Sequence, residues 1–289
     1  MSNTKKFSKM KYITILILSS IVLLSCNKQL IQKATSSNII ISQGSNKEML
    51  EYYQKHTNKY DVGVSLQSTN NTSFKNFGNT FNGYLQYSLN AFSGTNKIPL
   101  ETIKQMNFKI GNYNLSYDSK YEFNRTTQAG NNQDNIIVDL FNMKNISINI
   151  PYNNSINRTT DINISNPTPI YFISPTLSFD ESAITTNNSF LIKWNKDDDN
   201  KNGVIIVLSW HGETVSRTKK LPDNDLKVIK TVDDDGTELI DDAMLQYFPD
   251  DALIDIAIGR GNIETSNNNG YSTIVESLTY AYERFGVKK

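Results

Sequence analysis

Met106-Asn107-Phe108-Lys109-Ile110-Gly111-Asn112-Tyr113-Asn114-Leu115-Ser116-Tyr117 carries the pattern that decides the fold class. Met106, Phe108 and Ile110 alternate with Asn107 and Lys109; after Gly111-Asn112, Tyr113, Leu115 and Tyr117 alternate with Asn114 and Ser116. A period of two puts every apolar side chain of such a run on one face, the mark of a half-buried strand. Two such runs joined by Gly-Asn read as a β-hairpin, because glycine at the first central position accepts the positive φ of a type II′ turn. The same period recurs outward from here. Ile146, Ile148 and Ile150 alternate with Ser147 and Asn149, Phe190, Ile192 and Trp194 with Leu191 and Lys193, and Ile254, Ile256 and Ile258 with Asp255 and Ala257. Ile274, Leu278, Tyr280 and Tyr282 share one parity. Residues 204–210 form a nearly unbroken apolar run, as expected of a strand covered on both faces. Less regular strand patterns run over 60–67, 83–89 and 136–140.

Helix signals are few. Ser45 and Glu48 have capping-box spacing ahead of Met49, Leu50 and Tyr53, which predicts a short helix over 46–56. Residues 243–248 suit one helical turn before Pro249. The expected fold is therefore mainly β, built of antiparallel β-sandwich domains, with a short helix near the mature N-terminus. The second half, with six or seven short strands between turn clusters, resembles the immunoglobulin-like class in architecture, without that class's disulfide.

Asn166-Pro167-Thr168-Pro169 reads as the linker, since two prolines two apart cannot sit in a central strand. The charge balance turns over at the same place. Residues 27–165 hold 13 Lys and Arg against 9 Asp and Glu, and residues 166–289 hold 12 against 20. These observations predict an N-terminal β domain over 45–165 and a C-terminal sandwich over 170–289. No stretch clusters Lys and Arg with aromatics, so nucleic acid is not an expected partner.

The chain has one cysteine, Cys26. Lys5, Lys6, Lys9 and Lys11 precede it with no acid among them, and residues 12–24 are apolar or small. A run of about 13 residues suits a signal-peptide core, whereas a bilayer-spanning helix needs about 20. Leu23-Leu24-Ser25-Cys26 resembles the lipobox of bacterial lipoproteins, and the chain is similar in style to envelope lipoproteins of Bacteroidota-type Gram-negative bacteria. The resemblance implies a signal peptide over 1–25, cleavage before Cys26, acylation of its thiol, and a tether over 26–44. It places the mature chain outside the cytoplasm, anchored by lipid to the cell envelope, at the outer membrane. The other reading of residues 12–24 is an ordinary signal whose cysteine is incidental. No further thiol remains for disulfides or cysteine catalysis.

Trp194-Asn195-Lys196-Asp197-Asp198-Asp199-Asn200-Lys201-Asn202-Gly203 is the strongest local constellation. Asp198, Asn200 and Asn202 before Gly203 match the first half of a calcium loop, where alternate oxygens ligate and glycine allows the sharp turn. The second half fails, since Ser209 stands where a bidentate Glu belongs. Turn chemistry alone accounts for the same residue types. Asp233-Asp234-Asp235-Gly236, Asp241-Asp242 and Asp250-Asp251 are further acidic turns. Should such loops gather, their mutual repulsion demands a cation; Arg260, in Gly259-Arg260-Gly261, is a candidate partner. No nucleophile elbow and no zinc-helix motif occur, and His56 and His211 are the only histidines.

No catalytic residue is assigned. The expected function is a lipid-anchored envelope module without catalysis and without a cofactor, with a protein or glycan partner and the membrane reached through Cys26. The alternatives are an envelope hydrolase using the acidic loops and a calcium-stabilised spacer or adhesin domain.

Overall fold

Among the described residues two large hydrophobic cores lie side by side on one face of a single long sheet, and a small cluster of Ile205, Val207 and Ile229 lies on its other face. The computed structural model describes residues 37–42, 59–71, 84–92, 95, 98–120, 122–128, 134–151, 159–174, 183–185, 189–215, 226–268 and 270–288. Cys26 and the helix expected over 46–56 lie outside them. The strands of the first half are β1 (Ser37–Ser42), β2 (Val62–Asn71), β3 (Tyr84–Phe92), β4 (Asn107–Ile110), β5 (Tyr113–Ser116), β6 (Arg125–Gln128), β7 (Asn145–Pro151) and β8 (Thr159–Ser165). Those of the second half are β9 (Phe172–Ser174), β10 (Ala183–Thr185), β11 (Phe190–Trp194), β12 (Val204–Trp210), β13 (Leu226–Val232), β14 (Thr237–Ile240), β15 (Leu253–Asn268) and β16 (Tyr271–Lys288). Three helices, α1 (Leu100–Lys104), α2 (Asn135–Asn142) and α3 (Asp242–Leu245), are short. The fold is mainly β, as the alternation predicts. Among the described residues no helix is long and apolar enough to cross a membrane.

The long sheet runs β1-β13-β12-β15-β16-β2-β3-β6, with β10 also on β16. Its spine is the β15–β16 hairpin, in register from Leu253↔Gly286 to Asn268↔Tyr271. At about 3.3 Å per residue, β16 is close to 60 Å long. Its second half belongs with the C-terminal strands. Its first half pairs parallel with β2, from Thr273↔Val62 to Tyr282↔Asn71. Asp61 locks that register: its backbone N–H donates to the Ser272 carbonyl (2.9 Å), and its Oδ2 accepts from the Ser272 backbone N–H (2.8 Å).

Two smaller antiparallel sheets stand on the same face of this spine. One, β5-β4-β7-β8, encloses with β2, β3 and α2 a core that includes Val64, Leu66, Phe108, Ile148 and Val275. The other, β14-β11-β9, encloses with β12, β13, β15 and β16 a core that includes Trp194, Ile206, Ile256 and Phe285. Val275 and Phe285 have one parity on β16, so a single strand face contributes to both cores. Each half is thus a sheet-on-sheet packing, and the long sheet is common to both.

The predicted hairpin is β4–β5, with Gly111 at φ +54. Two sequence expectations change. Residues 136–140 are helix rather than strand: the Asp134 carboxylate accepts from the N–H groups of Ile136 (3.0 Å) and Ile137 (3.4 Å), capping α2. Ile137, Leu140 and Phe141 then share one buried face at helical spacing. In the region read as tether, Ser37–Ser42 form β1, which pairs parallel with β13 at the C-terminal edge of the long sheet. The anchor side of the chain therefore meets the second half first, not the first half.

The proline segment 166–169 is no loose linker. The Asn166 side chain donates to the Leu140 (3.3 Å) and Phe141 (2.9 Å) carbonyls, satisfying the C-terminus of α2, and accepts from the Ser277 hydroxyl. The Ile170 N–H donates to Thr279 Oγ1 (2.9 Å). Ser277 and Thr279 have the same parity as Val275, so the segment lies on the spine in the seam between the cores.

Candidate functional site

The seam is organised by a guanidinium with no exposed surface. Arg260, on β15, is fully buried. Its Nη1 donates to Asp234 Oδ2 (2.8 Å) and to the Asn195 carbonyl (2.9 Å), and its Nε donates to the Thr168 carbonyl (2.9 Å). Asp234 lies in the Asp-Asp-Asp-Gly turn between β13 and β14, where Gly236 takes φ +87. The turn brings its carboxylate against the core, where Trp194 Nε1 donates to Oδ1 (2.8 Å) and Asn200 Nδ2 to Oδ2 (2.8 Å). The carboxylate thus meets a cation and two neutral donors, the condition under which a buried charge is tolerated. Two acidic turns do converge, and a protein cation answers their charge: Arg260, the candidate partner, which lies within β15 rather than in a turn.

The three residues read as candidate calcium ligands face different partners. Asp198 is exposed and pairs with Lys196 (2.6 Å). Asn200 spends its amide on Asp234 and on the Gly203 carbonyl (2.8 Å), while its Oδ1 accepts from the Asn202 N–H (3.1 Å). The Asn202 amide donates to the Gly261 carbonyl (3.0 Å) and to Asn262 Oδ1 (2.7 Å). The loop's alternate polar residues thereby tie β11–β12 to the hub and to β15. Among the described residues no group of three or more His, Cys, Asp and Glu is placed to hold a metal ion.

Next to the hub lies a cleft of about 310 Å³. From the first half it is lined by Phe141, Asn142, Met143 and Lys144, and from the second by Asp197, Asp199, Asn200 and Asn262, with segment 165–169 between them. Lys144 Nζ reaches Asp199 Oδ2 across the seam (2.5 Å), both side chains being mostly exposed. That bond and the neighbouring charge of Asp199 hold the Lys144 ammonium above its ordinary pKa. Asp197 is opposed by burial, which pushes its carboxyl up. The backbone N–H groups of Thr168 (2.9 Å) and Asp199 (3.1 Å), aided by the Arg260 charge, outweigh burial and hold it below the usual carboxylate range. Asp197 therefore stays ionised through the neutral range. His211 is not among the lining residues.

The lining combines carboxamides, a hydroxyl-bearing turn, one ion pair and an aromatic edge. Asn166, Asn200 and Asn262 spend their amides on the protein, and Phe141 is buried in the first core, so the groups that face solvent here are Asn142 and the Lys144–Asp199 pair, which can exchange hydrogen bonds with hydroxyls. Sequence reasoning missed this cleft because Asn142, Lys144 and Asn166 carry no motif and are drawn from separate elements. The only signals were the proline segment and the acidic loop, which the Thr168–Asp197 hydrogen bond joins. The sequence matches no protein-family model and no curated protein.

Proposed function

We propose that this chain is a lipid-anchored binding module of the bacterial cell envelope, acting without catalysis, and that the seam cleft takes a hydroxyl-rich glycan. The anchor rests on the lipobox-like Leu23-Leu24-Ser25-Cys26. The observation that carries the binding reading is a cleft of about 310 Å³ walled by both halves, with exposed Asn142 and the Lys144–Asp199 pair among its lining residues. This size is at the lower end for a small-ligand site. Asp197 is ill suited to serve as the acid of a hydrolase. A glycosidic general acid must hold its proton near neutral pH, and Asp197 is shifted the opposite way.

Titration calorimetry of the mature protein against a panel of envelope glycans tests this. One class is expected to bind, with Lys144→Ala and Asn142→Ala each weakening it about tenfold, the loss of about 1.4 kcal/mol. Both positions are exposed, so the variants keep the fold. Saturable binding that ignores both substitutions, or no glycan binding beside a captured envelope protein, would move the partner elsewhere. Mass spectrometry of the mature N-terminus tests the anchor: a diacylglyceryl thioether on Cys26 is expected. A calcium-stabilised spacer predicts a melting temperature that rises with added Ca²⁺.

A further inference from the structure

The outer face of the β14-β11-β9 sheet is apolar where a solvated sheet is polar. Six large hydrophobic side chains stand exposed among the described residues, and four share this face: Tyr171, Ile173, Leu191 and Leu239. Leu191 and Leu239 are direct cross-strand partners. Ile173 is the extra residue of a bulge between the Ser174↔Lys193 and Phe172↔Trp194 pairs, next to Lys193, the outward residue after Leu191 on β11. Ile173 is 53 % exposed, and its strand neighbour Phe172, on the opposite face, is 5 % exposed. The alternation therefore runs apolar-in and apolar-out, the pattern of a sheet with two apolar surroundings.

The chain upstream says what lies against this face. β1 begins at Ser37 and pairs with the start of β13, Ser37↔Leu226. β13 leads through the Asp-Gly turn into β14, whose Glu238 meets Lys230 at 2.7 Å. The tether thus joins the body at the Leu226 end of β13, while the Lys230–Glu238 contact sets the Leu191–Leu239 pair level with the middle of that strand, about 10 Å along it and one sheet spacing, about 10 Å, across. Cys26 is eleven residues before Ser37, at most about 40 Å of extended chain.

We propose that this face lies on the lipid surface that holds the anchor, so that the protein rides on its three-stranded sheet with the seam cleft at its margin. The proposal rests on the acylated Cys26 of the preceding reading. Tyr171 and Lys193 sit at headgroup depth, where an amphipathic ring and a long cationic stem are both at home. The tether keeps the local lipid concentration high, so a modest apolar contact suffices. Asp241, Asp242, Asp250 and Asp251, on the chain that follows β14, disfavour an anionic surface. The surface is therefore neutral phospholipid, and the contact is insensitive to salt.

The test reconstitutes the full-length acylated protein in phosphatidylcholine vesicles containing spin-labelled lipid. A fluorophore is placed on Ile173→Cys, on Leu191→Cys, or on Ser147→Cys as a control on the exposed side of β7. Quenching at 173 and 191 at least threefold above that at 147, unchanged by 0.5 M salt (the Debye length falls to about 4 Å), is the expected result. Equal quenching at all three positions, with the thioether on Cys26 seen by mass spectrometry, overturns the docking and leaves the anchor standing. Should mass spectrometry find a free Cys26 thiol, the anchor reading fails by itself; the labelled protein is then titrated with the same vesicles at high lipid, where selective quenching at 173 and 191 upholds the docking and its absence overturns it. Emission already shifted to the blue at 173 without lipid, in a protein sedimenting as a dimer, would assign the face to a second copy and overturn the proposal.

Discussion

At the residue scale, the Asp234–Arg260 pair is what the seam can least do without. Both side chains are essentially without exposed surface, so removing one charge strands the other in a medium that cannot solvate it. Asp234→Asn is expected to cost about 3–5 kcal/mol, read as a shift in the urea midpoint at constant slope. Adding Arg260→Met should recover a good part of that loss, because the uncompensated charge is then gone; a double variant as unstable as the sum of the singles contradicts this account. Asp197 makes a smaller, pH-dependent contribution. Its folded pKa lies below the ordinary value of an aspartate, so its stabilisation is complete above that ordinary value and disappears as the pH falls through the folded pKa. Being only part-buried it is worth about 1 kcal/mol. Urea midpoints of wild type and Asp197→Asn should differ at pH 7, and the gap should close as the pH falls below the ordinary carboxylate range. These two roles were unequally legible. The sequence offered Arg260 as a candidate partner of the acidic turns but not its place inside a strand, and nothing in an Asp-Asp-Asp run shows which carboxylate turns inward.

At the element scale, the β15–β16 hairpin depends on two glycines that let the strands carry large neighbours. A Cβ on Gly259 would meet the Tyr280 ring at 2.6 Å, the edge of a side chain that can shift. A Cβ on Gly261 would meet Leu278 Cδ2 and also the Ser277 carbonyl oxygen, both at 2.5 Å, and the carbonyl is backbone in a paired strand. Gly261→Ala is therefore expected to destabilise by about 2–3 kcal/mol and Gly259→Ala by about 1 kcal/mol or less, measured by thermal unfolding; the reverse order would show that the hairpin yields at its backbone. Period-two alternation identified the β4–β5 hairpin and strands within 254–258 and 274–282, but not that the latter two are arms of one long hairpin, nor that the opposite parity of β16, Val275, Ala281 and Phe285, enters the cores. It misread 136–140, where a short β-branched run fits either period, and the Asp134 cap together with the burial of Ile137, Leu140 and Phe141 decides for helix.

At the scale of the whole molecule, one strand holds both cores. Val275 lies in the first core, and Ala281, Phe285 and Val287 lie in the second. Ending the chain at residue 268 removes the partner of β2 and of β15 at once. Such a truncation is expected to lose near-ultraviolet circular dichroism from both halves, and the intact protein to unfold in one calorimetric transition whose van 't Hoff and calorimetric enthalpies agree. Two separated transitions would show that the halves fold as independent units. The strand class, the turn positions and the place where the two halves meet were written in local chemistry: alternation, Asp-Gly and Gly-Asn pairs, and two prolines that no central strand accepts. The parallel union of β2 with β16, the docking of β1 on β13, and the cleft were not. They join residues up to about two hundred positions apart, and no local preference for turn or period carries information about a partner that distant. They arise when the apolar faces of separate strands find a common sheet on which to be buried.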